Sequence, residues 1–143
     1  MSLFAVDASL AAKWLLPAVQ EPLVEQANQL LAQETEGSAD FIVPDLFWPE
    51  IGNVLWKAVR RERITPAQAE ESLTTALSWA FDTIPSRDLL KQALEIGLKH
   101  QRSFYDSVYL ALAVSQKIEF ITADERLANA VAAHLPVKWL GAI

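Results

Sequence analysis

Apolar residues fall along this chain in two rhythms. Some segments are short, rich in aromatic and branched aliphatic residues, and end at a Pro, Asp or Thr. Others are longer, with apolar residues every third or fourth position. The first pattern predicts buried strands and the second amphipathic helices. The strands expected on this basis are Leu3–Val6, Phe41–Val43 ended by Pro44, Phe81–Ile84, Glu119–Thr122 and Val137–Leu140. A helix is expected to start at Asp7 and run through Leu10–Leu16 to Pro17. A second spans Pro22 to Glu34, with Leu23, Val24, Ala27, Leu30 and Leu31 at helical spacing, and Gly37-Ser38 closes it. Asp45 is a suitable N-cap for a helix that has Pro49 near its first turn and runs to about Arg61. Thr65-Pro66 opens another, which leads to Trp79. Ser86 is expected to cap a helix from Arg87 to about Lys99. Phe104–Ser115 is apolar on nearly every helical face and should be buried, and Asp124 caps the helix after it.

Short strands alternating with helices indicate an α/β fold, with a mostly parallel sheet covered on both sides. No repeat, linker or low-complexity segment divides the chain, so residues 1–143 read as a single domain. In parallel sheets of this kind, sites form beyond the carboxyl ends of the strands. Asp7 and Asp124 stand at such ends.

Composition narrows the function. Hydrophobic residues make up 52% of the chain, too many for an intrinsically disordered one. A net charge of -6 argues against a protein that grips nucleic acid by bulk electrostatics. There is no cysteine, hence no disulfide, thiolate site or thiol nucleophile. His100 and His134 share no close ligand spacing. The longest uncharged apolar run, Val108 to Val114, is far below the ~20 residues of a membrane span, and the start carries no secretory pattern. A soluble cytoplasmic protein with no membrane association is expected. Gly-x-Gly-x-x-Gly, Gly-x-x-x-x-Gly-Lys and Gly-x-Ser-x-Gly are all missing. Ser9 stands where a haloacid-dehalogenase-like phosphatase would need its second Asp, which disfavours phosphotransfer.

Carboxylates remain. The neighbours of Asp106 at i+3, i+4 and i+7 are Tyr109, Leu110 and Ala113, so its face is apolar. A buried carboxylate needs a cation, a hydrogen-bond cluster or an acid that shares its proton. A helix N-terminus supplies only ~0.3–1 kcal/mol in an exposed setting. Taken alone, Asp7 and Asp124 read first as ordinary N-caps. Glu50 flanks the stripe Phe47, Ile51, Val54, Leu55 and Ala58, and alone it reads as a solvated flank residue. Together the four acids can converge at one end of the sheet. Oxygen ligands without His or Cys suit Mg²⁺ or Mn²⁺, and such a site activates water against a phosphodiester.

Four motifs carry a resemblance. They are Val6-Asp7-Ala8-Ser9 followed by Lys13-Trp14, Pro49-Glu50-Ile51-Gly52-Asn53-Val54-Leu55, Tyr105-Asp106-Ser107-Val108-Tyr109-Leu110-Ala111-Leu112-Ala113, and Thr122-Ala123-Asp124-Glu125-Arg126-Leu127. In this order, and spread over nearly the whole chain, they resemble the PIN-domain proteins. More narrowly, they resemble the VapC-type toxin ribonucleases of type II toxin–antitoxin systems. Two departures are Ser107, where Ala is common, and the polar lead-in Gln101-Arg102-Ser103.

The resemblance implies a three-layer α/β/α PIN-like fold with a five-stranded, mostly parallel sheet. It implies that Asp7, Glu50, Asp106 and Asp124 form an acidic metal site for Mg²⁺ or Mn²⁺, with Asp7 and Asp106 the most constant ligands. Ser9, Asn53 and Thr122 match polar positions near the acids. The implied reaction is metal-dependent hydrolysis of RNA. The implied partners are the RNA substrate, a VapB-type antitoxin that masks the site, and a second copy in a homodimer. A different reading of the same chain is a non-catalytic PIN-like module that binds protein or RNA.

Among basic residues, Lys13 and Arg102 lie nearest the acids in the motifs and are candidates for phosphate contact. Lys57, Arg60, Arg61 and Arg63 read either as an RNA-backbone contact or as a solvated helix end. Trp14, Trp48 and Trp56 suit either an interface or the core.

Overall fold

The computed structural model describes residues 2–143. Strand β1 (Ser2–Val6) leads into helix α1 (Ala8–Leu15), a 3-10 turn (Ala18–Gln20) and helix α2 (Val24–Thr35). Strand β2 (Ala39–Pro44) is followed by helices α3 (Phe47–Arg60) and α4 (Pro66–Leu77), then by strand β3 (Asp82–Ile84). A 3-10 turn (Ser86–Leu89) passes into helix α5 (Leu90–His100), which is followed by helix α6 (Phe104–Gln116). Strand β4 (Glu119–Thr122), helix α7 (Glu125–Val131), strand β5 (Val137–Trp139) and a 3-10 turn (Leu140–Ala142) complete the chain.

The strands form one sheet in the order β3-β2-β1-β4-β5, and every pairing is parallel. The order reverses direction at β1. Strand-to-strand crossovers are right-handed, so α1–α4 cover one face and α5–α7 the other, giving three layers. The crevice of such a sheet lies at the reversal, beyond the carboxyl ends of β1 and β4. Their register pairs Val6 with Ile121, which brings the next residues, Asp7 and Thr122, side by side.

One face is filled by rings. Trp14 of α1 stacks on Phe41 of β2 at 5.6 Å, and Trp79 stacks on Phe81 at 5.2 Å. Phe47 and Trp48 of α3 close the cluster against Phe81. The indole of Trp14 donates to the carbonyl of Ala27 at 2.7 Å, and that of Trp48 to Thr83 Oγ1 at 3.1 Å. Trp14 and Trp48 are therefore core anchors with satisfied N–H groups. Trp56 stays 60% exposed, with the Arg60 guanidinium over its ring. On the other face α6 lies across β1, β2 and β4 and is buried from Ser107 to Ala113.

Two helix starts differ from the sequence expectation. Asp45 does not cap α3, which begins at Phe47 with no side-chain cap. Its carboxylate instead accepts the Ser86 N–H at 3.0 Å, while Ser86 Oγ accepts the Leu46 N–H at 3.3 Å. Ser86 accordingly opens a 3-10 turn, and the α-helix after it starts only at Leu90. Each loop thus satisfies the other's free donor. Phe81 lies just outside β3, and its ring packs in the aromatic cluster. Thr65 and Gln68 form the reciprocal capping box that the Thr65-Pro66 pair announces.

Ser107, one of the two departures in the motif, has a defined place. It is fully buried, its hydroxyl donates to the Ser103 carbonyl at 2.7 Å, and it faces Gly97 of α5. A β-carbon on Gly97 would lie 3.0 Å from Ser107 Oγ and 3.2 Å from the Arg102 carbonyl. That glycine lets the two helices close. Among the described residues no helix is long and apolar enough to cross a membrane.

The contact predicts a coupling. Gly97→Ala should be less harmful in a Ser107→Ala background than in the wild type, by about 1 kcal/mol, because the closest clashing atom is gone. Denaturant melts of the four proteins measure it, and additive effects would contradict the close packing.

Candidate active site

Asp7 follows β1 directly and caps α1. It is 8% exposed. Its Oδ1 accepts from Ser9 Oγ at 2.5 Å and from the Leu10 N–H at 3.2 Å, and its Oδ2 accepts from Thr122 Oγ1 at 2.7 Å. Each hydroxyl has a single proton and gives it to Asp7. In return Ser9 Oγ accepts the Ala123 N–H and Thr122 Oγ1 accepts the Asp124 N–H, both at 3.1 Å. Ser9 and Thr122 thus bind the end of β1 to the end of β4. Burial nevertheless dominates and pushes Asp7 up to about 6, with Glu50 adding to the rise.

Glu50 lies in the first turn of α3 and is half-buried, not a solvated flank residue. The Tyr109 hydroxyl of α6 donates to its Oε1 at 2.5 Å. Desolvation raises Glu50 above the usual range, and the charge of Asp106 raises it further. Asp106 is in the first turn of α6, where Ser103 Oγ caps its N–H at 3.1 Å. It too is raised, first by desolvation, with Asp124 adding to the effect and Arg102 opposing it. Asp124 is exposed and caps α7, accepting the Leu127 N–H at 3.1 Å. Electrostatic coupling therefore runs from Asp7 to Glu50, from Glu50 to Asp106 and from Asp106 to Asp124. Both N-cap roles are real, and both caps belong to this chain of acids.

The remaining candidates divide. Arg102 is half-buried, donates to its neighbour's carbonyl and faces Asp106 electrostatically. Lys13 is committed elsewhere, to Glu21 at 2.9 Å, and the same carboxylate takes Arg63 at 2.5 Å. Those two cations hold Glu21 below the ordinary range despite its burial. Asn53 is exposed, one turn along α3 from Glu50. Tyr109 escaped notice in the sequence because helical periodicity counts it as apolar. Its ring stacks on Phe120 at 5.5 Å, and burial beside Glu50 raises its hydroxyl, so it stays a donor. The signal available was a tyrosine in a helix with no exposed face: a buried phenol needs a partner.

The donor chemistry suits a hard divalent cation: carboxylates, hydroxyls and no thiol or imidazole. Among the described residues no group of three acidic or histidine side chains is gathered closely enough to hold one. His100 and His134, remote in sequence, come together with ring centroids 5.9 Å apart, but they too gather no third ligand.

An all-parallel, three-layer α/β domain with acids strung along its switch-point crevice defines a narrow class. The family model for the PIN domain matches residues 4–132. The chain is 32% identical over 126 residues to Ribonuclease VapC3 of Pyrobaculum aerophilum, covering 87% of this chain and 91% of that protein. A crystal structure of Mycobacterium tuberculosis VapC20, described as a sarcin–ricin loop cleaving toxin, aligns with a TM-score of 0.65 at 21% identity. That alignment covers 94% of this chain and 96% of VapC20. A toxin–antitoxin complex from Klebsiella pneumoniae aligns with a TM-score of 0.59 at 18% identity, covering 96% of each chain. The last two likenesses establish the fold. The chain belongs to the PIN-domain family, in its VapC branch.

The raised acids predict a pH dependence for the metal-free protein. Asp7 binds its proton more tightly folded, at about 6, than unfolded, at 3.8. Its unfavourable contribution therefore grows as pH rises from about 4 through 6, and is complete above about 7. In EDTA the protein should melt at higher temperature at pH 5 than at pH 7.5. Asp7 contributes about 1.4 kcal/mol to that difference, out of about 3 kcal/mol over its whole window. Asp7→Asn should flatten that slope, and a slope unchanged by the substitution would refute the assignment. Glu21, held low by its cations, acts in the opposite direction and only below its ordinary range, so the windows separate. Thr122→Val should raise Asp7 further, because it removes a bond to the ionised form. Carboxyl carbon chemical shifts followed against pH would show it.

Proposed function

We propose that this protein is a divalent-cation-dependent endoribonuclease, the toxin of a VapBC-type pair. The observation that carries the proposal is the electrostatic coupling of Asp7, Glu50, Asp106 and Asp124 at the carboxyl edge, three of them raised by burial and mutual repulsion. Such an arrangement is costly to fold unless a cation joins it. The name of the Pyrobaculum relative supports RNA as the substrate.

In this reading the four acids hold Mg²⁺ or Mn²⁺. Asp7 and Asp106 act as the principal ligands, and Glu50 and Asp124 complete the set directly or through water. The cation, when bound, supplies charge neutralisation at the scissile phosphate and activation of water. The protein's own groups prepare this. Ser9 and Thr122 fix both oxygens of Asp7, and Oδ2 keeps a lone pair beyond the bond from Thr122. Tyr109 orients Glu50, and Ser103 anchors the turn that carries Asp106. Arg102, whose charge opposes the rise of Asp106, meets a phosphate oxygen in this reading. The partners in this reading are a VapB-type antitoxin that masks the site and a second copy of the chain in a homodimer. The setting is the cytoplasm.

A second reading has one observation in its favour. The acids are coupled but not drawn into a cage, as suits a non-catalytic PIN-like module. Calorimetry separates the two. Saturable Mn²⁺ binding, lost in Asp106→Asn, supports the nuclease, and no heat of binding supports the module.

The nuclease reading predicts RNA cleavage in Mg²⁺ or Mn²⁺ that stops in EDTA. Asp7→Asn and Asp106→Asn should each lower the rate at least ~100-fold, since even outer-shell partners of metals cost 10–100-fold when removed. Undiminished cleavage by either purified variant would show that the site lies elsewhere.

A further inference from the structure

An apolar cleft of about 470 Å³ opens between the start of α3 and the start of α6. Leu46, Pro49 and Val108 line it together with the rings of Phe104 and Tyr105. Pro49 immediately precedes Glu50, and Tyr105 immediately precedes Asp106. The cleft therefore adjoins two members of the acid chain. Tyr105 is 62% exposed and Phe104 39%. The polar part of the lining is the Asp45–Ser86 pair that exchanges bonds between the two loops. Hydrogen bonds from Ser86 hold Asp45 below the usual carboxylate range, so it is an ionised acceptor.

We infer that this cleft takes one unstacked base of single-stranded RNA beside the scissile phosphate, with Tyr105 as the stacking surface. The inference rests on the endoribonuclease reading and adds a specificity-determining residue to it. The volume falls within the ~300–1,000 Å³ of small-ligand sites and admits a nucleoside. Proteins bind single-stranded RNA by splaying bases onto aromatic faces. A chain of net charge -6 has no bulk attraction for a polyanion, so affinity has to come from contacts that do not depend on charge. Stacking is one, and exposed rings next to the acids provide it. Asp45 accepts but cannot donate, which suits the N–H edge of a base.

The competing occupant is another protein surface. Leu90 itself lines the cleft, and exposed Leu94 and Leu98 continue the apolar face along α5 into a second hollow shared with Phe104 and Arg102. The Tyr105 end adds the carboxylate acceptor of Asp45 and adjoins the turns that carry Glu50 and Asp106, which favours a nucleobase there.

The test uses the full chain in Mg²⁺ with a fluorescein-labelled, single-stranded phosphorothioate RNA oligomer, read by anisotropy. Tyr105→Ala should weaken binding about tenfold, and Tyr105→Phe should stay within about twofold. The slope of log Kd against log salt should be the same in all three proteins, because a base contact releases no counterions. Thermal melts confirm that Tyr105→Ala is folded, and Tyr105→Phe keeps the ring if it is not. Wild-type affinity in Tyr105→Ala, or a reduced salt slope, overturns the inference. So does a change of oligomeric state by sedimentation with affinity per protomer unchanged, which would assign the cleft to a contact between copies. Failure here with cleavage still abolished in Asp106→Asn would remove the base site and leave the nuclease standing. RNA left intact by the wild type would instead strike the nuclease reading.

Discussion

The desolvation of Asp7 is the constraint on which the rest of the structure depends. A carboxylate at the end of the central strand is shielded by β2 on one side and β4 on the other. It remains tolerable because three donors reach it: two hydroxyls and one helix N–H. Each donor imposes something on the fold. The bond from Leu10 requires α1 to begin directly after Asp7. Thr122 requires the β1–β4 register that sets Val6 against Ile121. Ser9 must reach back across the crevice to the Ala123 N–H. The switch point of the sheet, the start of two helices and the spacing of the acids are thus one solution to one electrostatic problem. The solution is partial, since Asp7 still titrates near 6.

Helix α6 carries the second half of the arrangement. A helix buried on every side from Ser107 to Ala113 has to satisfy every polar group it brings inside. It does so at one end: Ser103 caps Asp106, Ser107 returns its hydroxyl to Ser103, and Tyr109 reaches Glu50. The bond from Tyr109 links α6 to α3 at the acids, and it sets the position of Glu50 relative to Asp106. Closeness of α5 at Gly97 keeps the base of α6 from shifting. Packing on the side remote from the sheet therefore controls the geometry of carboxylates on its edge.

Much of this was legible in the residues, for reasons that are themselves physical. Short apolar runs and period-3.6 patterns report burial, and in a parallel sheet burial is nearly complete, so strands and helices alternated visibly from β1 to β5. The Thr65–Gln68 box was local and could be read locally. The Asp45–Ser86 exchange could not, because each residue looked like the cap of its own helix while its partner lay across the fold. Glu50 read as solvated because its helix wheel cannot show the Tyr109 hydroxyl that meets it. Lys13 looked available to phosphate until Glu21, in the turn beyond α1, claimed it together with Arg63. Phe81 belonged to a ring cluster assembled from four segments, which no window of sequence contains. His100 and His134 make the same point, being remote in sequence and neighbours in space.

An acidic protein acting on a polyanion faces a conflict that its architecture has to resolve. The carboxylates that qualify the crevice for a divalent cation are the same charges that repel a phosphate chain. Of the twelve basic residues, two are spent on Glu21 and one lies over Trp56, while Arg102 opposes the rise of Asp106. On the nuclease reading proposed above, phosphate attraction would arrive with the cation, and the remainder of the affinity would come from surfaces indifferent to charge. Without a cation the same carboxylate repulsion would both lower stability at neutral pH and weaken RNA binding. Any cation that meets these acids, a metal or a partner's side chain, would relieve that one repulsion.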